Sequence, residues 1–320
     1  MATPTIKKEK IGIVGSGFIG RSWATLFIGC GYHVTLYDLT TELVNNAVEE
    51  IRKSLQELKS KDLLRPNVLP VETQLSLIST SIDLATAVKD AYYVQESVFE
   101  TLDLKQKIFR QLDEVVGPET IVGSSTSCLL PSEFTAGLKH AANYVVAHPT
   151  NPPYFCPATE VVGSKWTSQE TIHKTIVLLK EIGQKPVHVK KEVFGFVLNR
   201  MQYALLAECW RIVNEGVADV EAVDTIMADG FGMRYAFLGP LSVTHLNANG
   251  IVDYCQKYNK GYLKTCTAMG PAPSWDGPLL ENIRQQLEAK IPLDKVGDRI
   301  MWRNNCLAQL AKLKKEMEDK

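Results

Sequence analysis

The sequence predicts an α/β protein: a doubly wound parallel sheet at the N-terminus, covered by helices on both faces, followed by an all-helical C-terminal domain. Three observations predict it. Short apolar runs alternate with amphipathic stretches from Ile11 to about Glu192. A glycine-rich turn, Gly15–Gly20, separates the first run from the helical pattern after it. Beyond Glu192 the strand-like runs stop, and apolar residues recur at helical spacing. The chain of 320 residues, 45% hydrophobic and 22% charged, has an ordinary globular composition and enough length for two domains. The sequence places them at residues 1–193 and 194–320.

Taken in order, Ile11–Val14 is the first strand, and Trp23, Leu26 and Phe27 mark the helix behind the glycine turn. Val34–Tyr37 is the second strand and ends at Asp38; the polar amphipathic segment from Thr41 to Lys61 follows as a helix. Tyr92–Val98, Thr120–Gly123 and Tyr144–Ala147 are further strands, with a helix over Leu104–Val116. Phe194–Asn214 reads as one long helix. Its apolar positions Phe196, Val197, Met201, Leu205, Ala207, Trp210 and Val213 form a stripe expected to serve as core. The clusters Gly230–Gly239 and Gly270–Pro278 punctuate the helices after it, and the lysine-rich end Lys312–Lys320 reads as a solvated helix terminus.

Gly15-Ser16-Gly17-Phe18-Ile19-Gly20 is a G-x-G-x-x-G string placed after a strand and before a helix, the context its mechanism requires. Gly15 permits the tight turn, Gly17 lets a pyrophosphate approach the backbone, and Gly20 lets helix and strand pack closely. The helix N-terminus then offers free N–H groups to the phosphates. Asp38 stands 18 positions after Gly20, at the end of the second strand, where a carboxylate accepts from the adenosine ribose. Leu39, Thr40, Thr41 and Glu42 supply no base for a 2′-phosphate. The prediction is therefore a Rossmann-type domain that takes NAD rather than NADP.

Further motifs follow in a fixed order: Ser124-Ser125-Thr126-Ser127, then Ala147-His148-Pro149 with Asn151-Pro152-Pro153, then Thr159-Glu160-Val161-Val162, then Gly195-Phe196-Val197-Leu198-Asn199-Arg200. His148 falls where a strand meets a proline-rich turn, the end of the sheet at which open α/β folds bind ligands. This order resembles the 3-hydroxyacyl-CoA dehydrogenase superfamily over nearly the whole chain. The resemblance implies a catalytic dyad of His148 and Glu160. It implies that Ser127 lies near the substrate oxygen and nicotinamide, and that Asn199 completes the site. For the cofactor it implies Gly15, Ser16, Gly17, Phe18, Ile19 and Gly20 in the turn, Asp38 on the ribose, and Glu100 and Lys105 as further contacts. It also implies a homodimer formed through the helical domain.

Within that superfamily, Ser124–Ser132, Ala147–Tyr154, Phe196–Tyr203 and Gly232–Pro240 carry a closer resemblance to one branch, whereas the acyl-CoA enzymes typically have H-F-F-N-P where this chain has His148-Pro149-Thr150-Asn151-Pro152 and lack its Met233-Arg234-Tyr235-Ala236-Phe237 string. The branch they resemble implies a small hydroxy acid as substrate: L-gulonate, oxidised at its 3-hydroxyl to 3-dehydro-L-gulonate. Arg234, in the distinctive Gly232-Met233-Arg234-Tyr235 string, is a candidate for the substrate carboxylate, with a structural ion pair as the alternative. The chemistry suits the residue types. A histidine titrating near neutrality can take the hydroxyl proton as hydride leaves carbon. An ionised glutamate would fix its tautomer, and Ser127 and Asn199 can hydrogen-bond the oxygen.

Two rival readings stand beside this one. The first is a dehydrogenase of 3-hydroxyacyl-CoA, or of another small 3-hydroxy acid such as carnitine. The second is a bulk structural protein that keeps an inherited site. Composition narrows the field further. Lys+Arg 35 against Asp+Glu 36 leaves no basic excess for a nucleic-acid partner. No apolar run reaches membrane-spanning length, and neither a signal-peptide core nor an Arg-rich transit pattern is present, so the expected location is cytoplasmic. The seven cysteines are scattered without a C-x-x-C pair, which predicts buried free thiols and no metal site.

Overall fold

The computed structural model describes residues 4–318. The first half alternates as expected: β1 (Lys10–Val14), α1 (Phe18–Gly29), β2 (His33–Tyr37), α2 (Thr41–Ser60), α3 (Val71–Ser76), β3 (Ile78–Ser81), α4 (Leu84–Val88), β4 (Ala91–Glu96), α5 (Leu102–Val115), β5 (Ile121–Ser124), α6 (Pro131–Thr135) and β6 (Tyr144–Pro149). It continues with β7 (Ala158–Gly163), α7 (Gln169–Glu181) and β8 (Lys185–Val189). All eight strands form one sheet in the order β3-β2-β1-β4-β5-β6-β7-β8. Every pair is parallel except β6–β7, which is antiparallel.

The apolar run of β1 has the physical cause inferred from sequence. Ile11, Ile13 and Val14 are buried because a central parallel strand is covered on both faces. On one face Trp23 and Phe27 of α1 pack with Ile51 and Leu55 of α2 and Leu179 of α7. On the other, Phe109 and Leu112 of α5 pack with Phe134 and Tyr144. The α2 helix buries Val44, Ala47, Ile51 and Leu55, one stripe at helical spacing, and Thr40 caps its start by accepting from the Leu43 N–H at 3.3 Å. Because β1 lies between β2 and β4, the connections on its two sides run in opposite directions, the arrangement at which doubly wound folds bind ligands in a crevice beyond the C-terminal strand ends.

The chain folds into two compact units. The first contains the residues up to Arg200 and again from Asn304; the second is Met201–Arg303. The helices that follow the sheet are α8 (Leu198–Asn214), α9 (Val220–Thr225), α10 (Gly232–Tyr235), α11 (Pro240–Leu246), α12 (Ile251–Ala268), α13 (Gly277–Lys290) and α14 (Val296–Glu318), with a π-helical stretch over Ile226–Phe231. The lysine-rich end is helical to Glu318; its last two residues lie outside those described.

Three expectations need correction. The helix expected from Phe194 begins at Leu198, because Gly195 and Phe196 take left-handed φ of 72° and 48°. Its apolar stripe is not all core: Val213 is buried, but Met201 and Leu205 are exposed. The cysteines are free, but not buried: four are half-buried, and Cys255, Cys266 and Cys306 are exposed on α12 and α14.

Candidate active site

The glycine turn fits a dinucleotide. Gly15 has a φ of 98°, and a Cβ there would stand 2.7 Å from the Ser97 carbonyl oxygen. A Cβ on Gly20 would stand 1.9 Å from the Gly15 oxygen, so the turn and α1 pack too closely for any side chain. Over Gly17 no atom lies within 4 Å. No side chain caps α1 and no acid occupies its first turn, so its first amides stay available to an anion. Phe18 is exposed beside this opening, and Ile19 packs against the core. Ser16 is buried and donates both its N–H (2.8 Å) and its hydroxyl (2.7 Å) to Asp38 Oδ2, while Asp38 Oδ1 accepts from the Leu39 N–H at 2.8 Å. Oδ1 keeps an acceptor position, as a ribose hydroxyl requires.

The antiparallel pairing of β6 and β7 sets His148 directly opposite Glu160. Both side chains are buried, and His148 Nδ1 lies 2.7 Å from Glu160 Oε2. The other carboxylate oxygen accepts the N–H groups of Val197 (2.7 Å) and Leu198 (3.0 Å). These amides converge because the left-handed Gly195 and Phe196 turn the chain just before α8; Phe196 is fully buried, its ring 5.9 Å from that of His148. Burial pushes the Glu160 carboxyl up, but the His148 hydrogen bond, the two amides and the His148 charge outweigh it and hold it below its ordinary value. An ionised Glu160 can only accept, so neutral His148 carries its proton on Nδ1. Nε2 is then the free base, and it has no hydrogen-bond partner among the described residues.

The start of α8 also secures the β5 end. Asn199, 6% exposed, donates from Nδ2 to the Ser127 carbonyl at 2.8 Å. Glu100 Oε1 accepts the N–H groups of Ser127 (2.8 Å) and Cys128 (3.2 Å), together with the Thr126 hydroxyl. Burial raises the Glu100 carboxyl, but these bonds and the Lys105 charge hold it below its usual range. The Lys105 ammonium is 1% exposed and divided among Glu96 Oε1 (2.7 Å), the Val98 carbonyl (3.1 Å) and Glu100 Oε2 (3.6 Å).

Sequence reasoning passed over Glu96, whose other oxygen accepts the Ser124 hydroxyl at 2.6 Å. A carboxylate ending the apolar strand Tyr92–Gln95, with a lysine nine positions on, was its available signal. Through these bonds the geometry links His148, Glu160, Asn199, Ser127, Glu100 and Lys105 in one chain. Arg234 lies in the other unit, on α10, exposed and without a hydrogen-bond or ion-pair partner among the described residues. No cluster of three or more metal-ligating side chains occurs among the described residues.

Comparison with known proteins identifies the family. Residues 10–193 match the family model of the 3-hydroxyacyl-CoA dehydrogenase NAD binding domain, and residues 195–272 that of the same family's C-terminal domain. A lambda-crystallin homolog of Rattus norvegicus is 47% identical over 308 residues, covering 96% of each chain. An L-carnitine dehydrogenase of Oceanobacillus iheyensis is 32% identical over 316 residues, covering 95% of this chain and 98% of its own. Among solved structures, 5-formyl-3-hydroxy-2-methylpyridine 4-carboxylic acid 5-dehydrogenase, described as an NAD+-dependent dismutase, superposes with a TM-score of 0.78 at 25% identity, covering 97% of this chain and 98% of that one. Two family models spanning sheet and helices, and relatives matched almost end to end, leave one conclusion: the chain belongs to the 3-hydroxyacyl-CoA dehydrogenase family, and it is an NAD-dependent oxidoreductase.

Proposed function

We propose that this oxidoreductase oxidises the 3-hydroxyl of a small hydroxy acid, L-gulonate, to give 3-dehydro-L-gulonate, the hydroxyl losing its proton and C3 its hydride. The observation that carries the chemistry is the His148–Glu160 pair, with Nδ1 committed to the carboxylate and Nε2 free. Bound NAD supplies the hydride acceptor. His148 Nε2 takes the hydroxyl proton, and the ionised Glu160, fixed by the Val197 and Leu198 amides, stabilises the imidazolium that forms. Ser127 and Asn199 hydrogen-bond the oxygen as it becomes a carbonyl. In this reading the enzyme works in the cytoplasm as a homodimer, and any structural role is an addition to catalysis.

The choice of substrate rests on the segments resembling the lambda-crystallin branch, Gly232–Pro240 among them, and on near-complete coverage at 47% identity. The L-carnitine dehydrogenase relative supports the wider class, since carnitine is also a 3-hydroxy carboxylate without CoA. Arg234 would grip the carboxylate through paired hydrogen bonds. Initial rates with NAD on L-gulonate, L-carnitine, 3-hydroxybutyrate and 3-hydroxybutyryl-CoA test the proposal. The expected order puts L-gulonate first in kcat/KM; a preference for the CoA thioester overturns it. Arg234→Met should raise KM for L-gulonate about 10- to 100-fold, the weight of a lost charged hydrogen bond of about 1.5–3 kcal/mol, with Tm unchanged. A fallen Tm with unaltered KM would make Arg234 structural.

A further inference from the structure

Below the mouth of the crevice lies a buried polar network that neither the dyad nor the glycine turn uses. The Tyr93 hydroxyl donates to Gln95 Oε1 at 2.6 Å, and Gln95 Nε2 faces both the Ser125 hydroxyl (2.7 Å) and the Ala147 carbonyl (3.4 Å). A carbonyl oxygen only accepts, so the amide of Gln95 must present its NH2 group on that side. The indole N–H of Trp23, a donor only, points at the same Ser125 oxygen from 3.1 Å. Ser125 Oγ thus receives two donors and both its lone pairs are filled. Its own proton must go elsewhere, and Ser97 Oγ lies 2.9 Å away.

This accounting fixes a direction that distances alone do not: Ser125 donates and Ser97 accepts. The Ser97 proton is then uncommitted, for its hydroxyl has no other partner among the described residues. Ser97 directly follows β4. Its N–H donates to the Val14 carbonyl at 2.7 Å, and its carbonyl abuts Gly15. It therefore stands at the point where β1 and β4 diverge, on the opposite side of β1 from β2 and Asp38. In doubly wound folds the dinucleotide crosses this crevice, with the adenosine ribose on the acidic residue after the second strand. The nicotinamide half must then lie on the β4 side.

We propose that Ser97 is a cofactor-binding residue whose hydroxyl, held as a donor by the Tyr93–Gln95–Ser125–Trp23 network, donates to an acceptor oxygen on the nicotinamide half of NAD. The proposal rests on the NAD-binding assignment and not on which alcohol is oxidised. The test is calorimetric titration of the wild type and Ser97→Ala with NADH and, separately, with AMP, which occupies only the adenosine half. Ser97→Ala should raise the Kd for NADH about 3- to 10-fold, the range of one neutral hydrogen bond, with the Kd for AMP and the Tm unchanged. An unchanged Kd for NADH overturns the proposal. So does an equal loss for NADH and AMP, which would mean that the substitution disturbs the glycine turn beside it. Binding of NADH by the wild type in the same titrations keeps either failure distinct from a failure of the cofactor assignment.

Discussion

Both oxygens of Glu160 and Nδ1 of His148 are held in hydrogen bonds, which leaves Nε2 as the one polar side-chain atom of the pair without a partner among the described residues, the atom proposed to take the proton. His148→Gln is expected to lower turnover by a factor on the order of 10² or more while sparing NAD affinity. Because the two groups act as a unit, the losses from His148→Gln and Glu160→Gln should be far from additive in the double variant; additive activation free energies would refute the dyad. Glu160 also links stability to pH. Its carboxyl lies below its ordinary value in the folded protein, so its contribution is present at neutral pH and down to about pH 4.3, the ordinary unfolded value. The contribution is lost as pH falls further, through the depressed folded value. Comparing the Tm of the wild type and Glu160→Gln across this range should show the gap closing on acidification. A gap independent of pH would contradict the assignment. His148 was legible in sequence because a lone histidine before a proline-rich turn, set in a fixed order of motifs, is unusual. The amides that hold Glu160 were not, since backbone donors leave no mark on residue type. Glu96 and Ser97 were hidden for a related reason: their roles follow from partners at β5 and in α5, brought together only by the fold.

The central strands β1 and β4–β6 were readable because burial on both faces favours apolar runs, and β2 because Val34 and Leu36 alternate into the core. Edge elements gave no such pattern. β3 is the polar run Ile-Ser-Thr-Ser and β8 the half-exposed Lys-Pro-Val-His-Val, each buried on too little of its surface to need an apolar sequence. β7 shows in sequence only as a motif, yet its antiparallel direction places Glu160 across from His148. The turn before α8 reads as helix in sequence because Phe196 and Val197 suit a helical stripe, while the left-handed backbone is signalled by Gly195 alone. That glycine gives an element-scale prediction. At its φ of 72° an alanine is strained, and its Cβ would lie 3.4 Å from that of Asn199. Gly195→Ala should cost about 1–2 kcal/mol, read as a lower denaturant midpoint at unchanged slope. An unchanged midpoint would show that the turn relaxes without cost.

Over the whole molecule, apolar exposure is unevenly spread. In the second unit Val213, Val220 and Ile283 form a small buried cluster, while Met233, Leu241, Leu246 and Val252 are each at least 67% exposed. These exposed side chains are where the proposed homodimer would bury apolar surface. Light scattering should give twice the chain mass at micromolar concentration, and a monomer mass would remove that part of the reading. Within the first unit, the strand order keeps two neighbourhoods apart. The strands that carry the glycine turn, Asp38 and Ser97, namely β1, β2 and β4, lie on one side of β5, and the hairpin of β6 and β7 that carries His148 and Glu160 lies on the other. A change in the segment 150–157, which joins His148's strand to Glu160's, can therefore alter one side of the sheet without touching the glycine turn on the other.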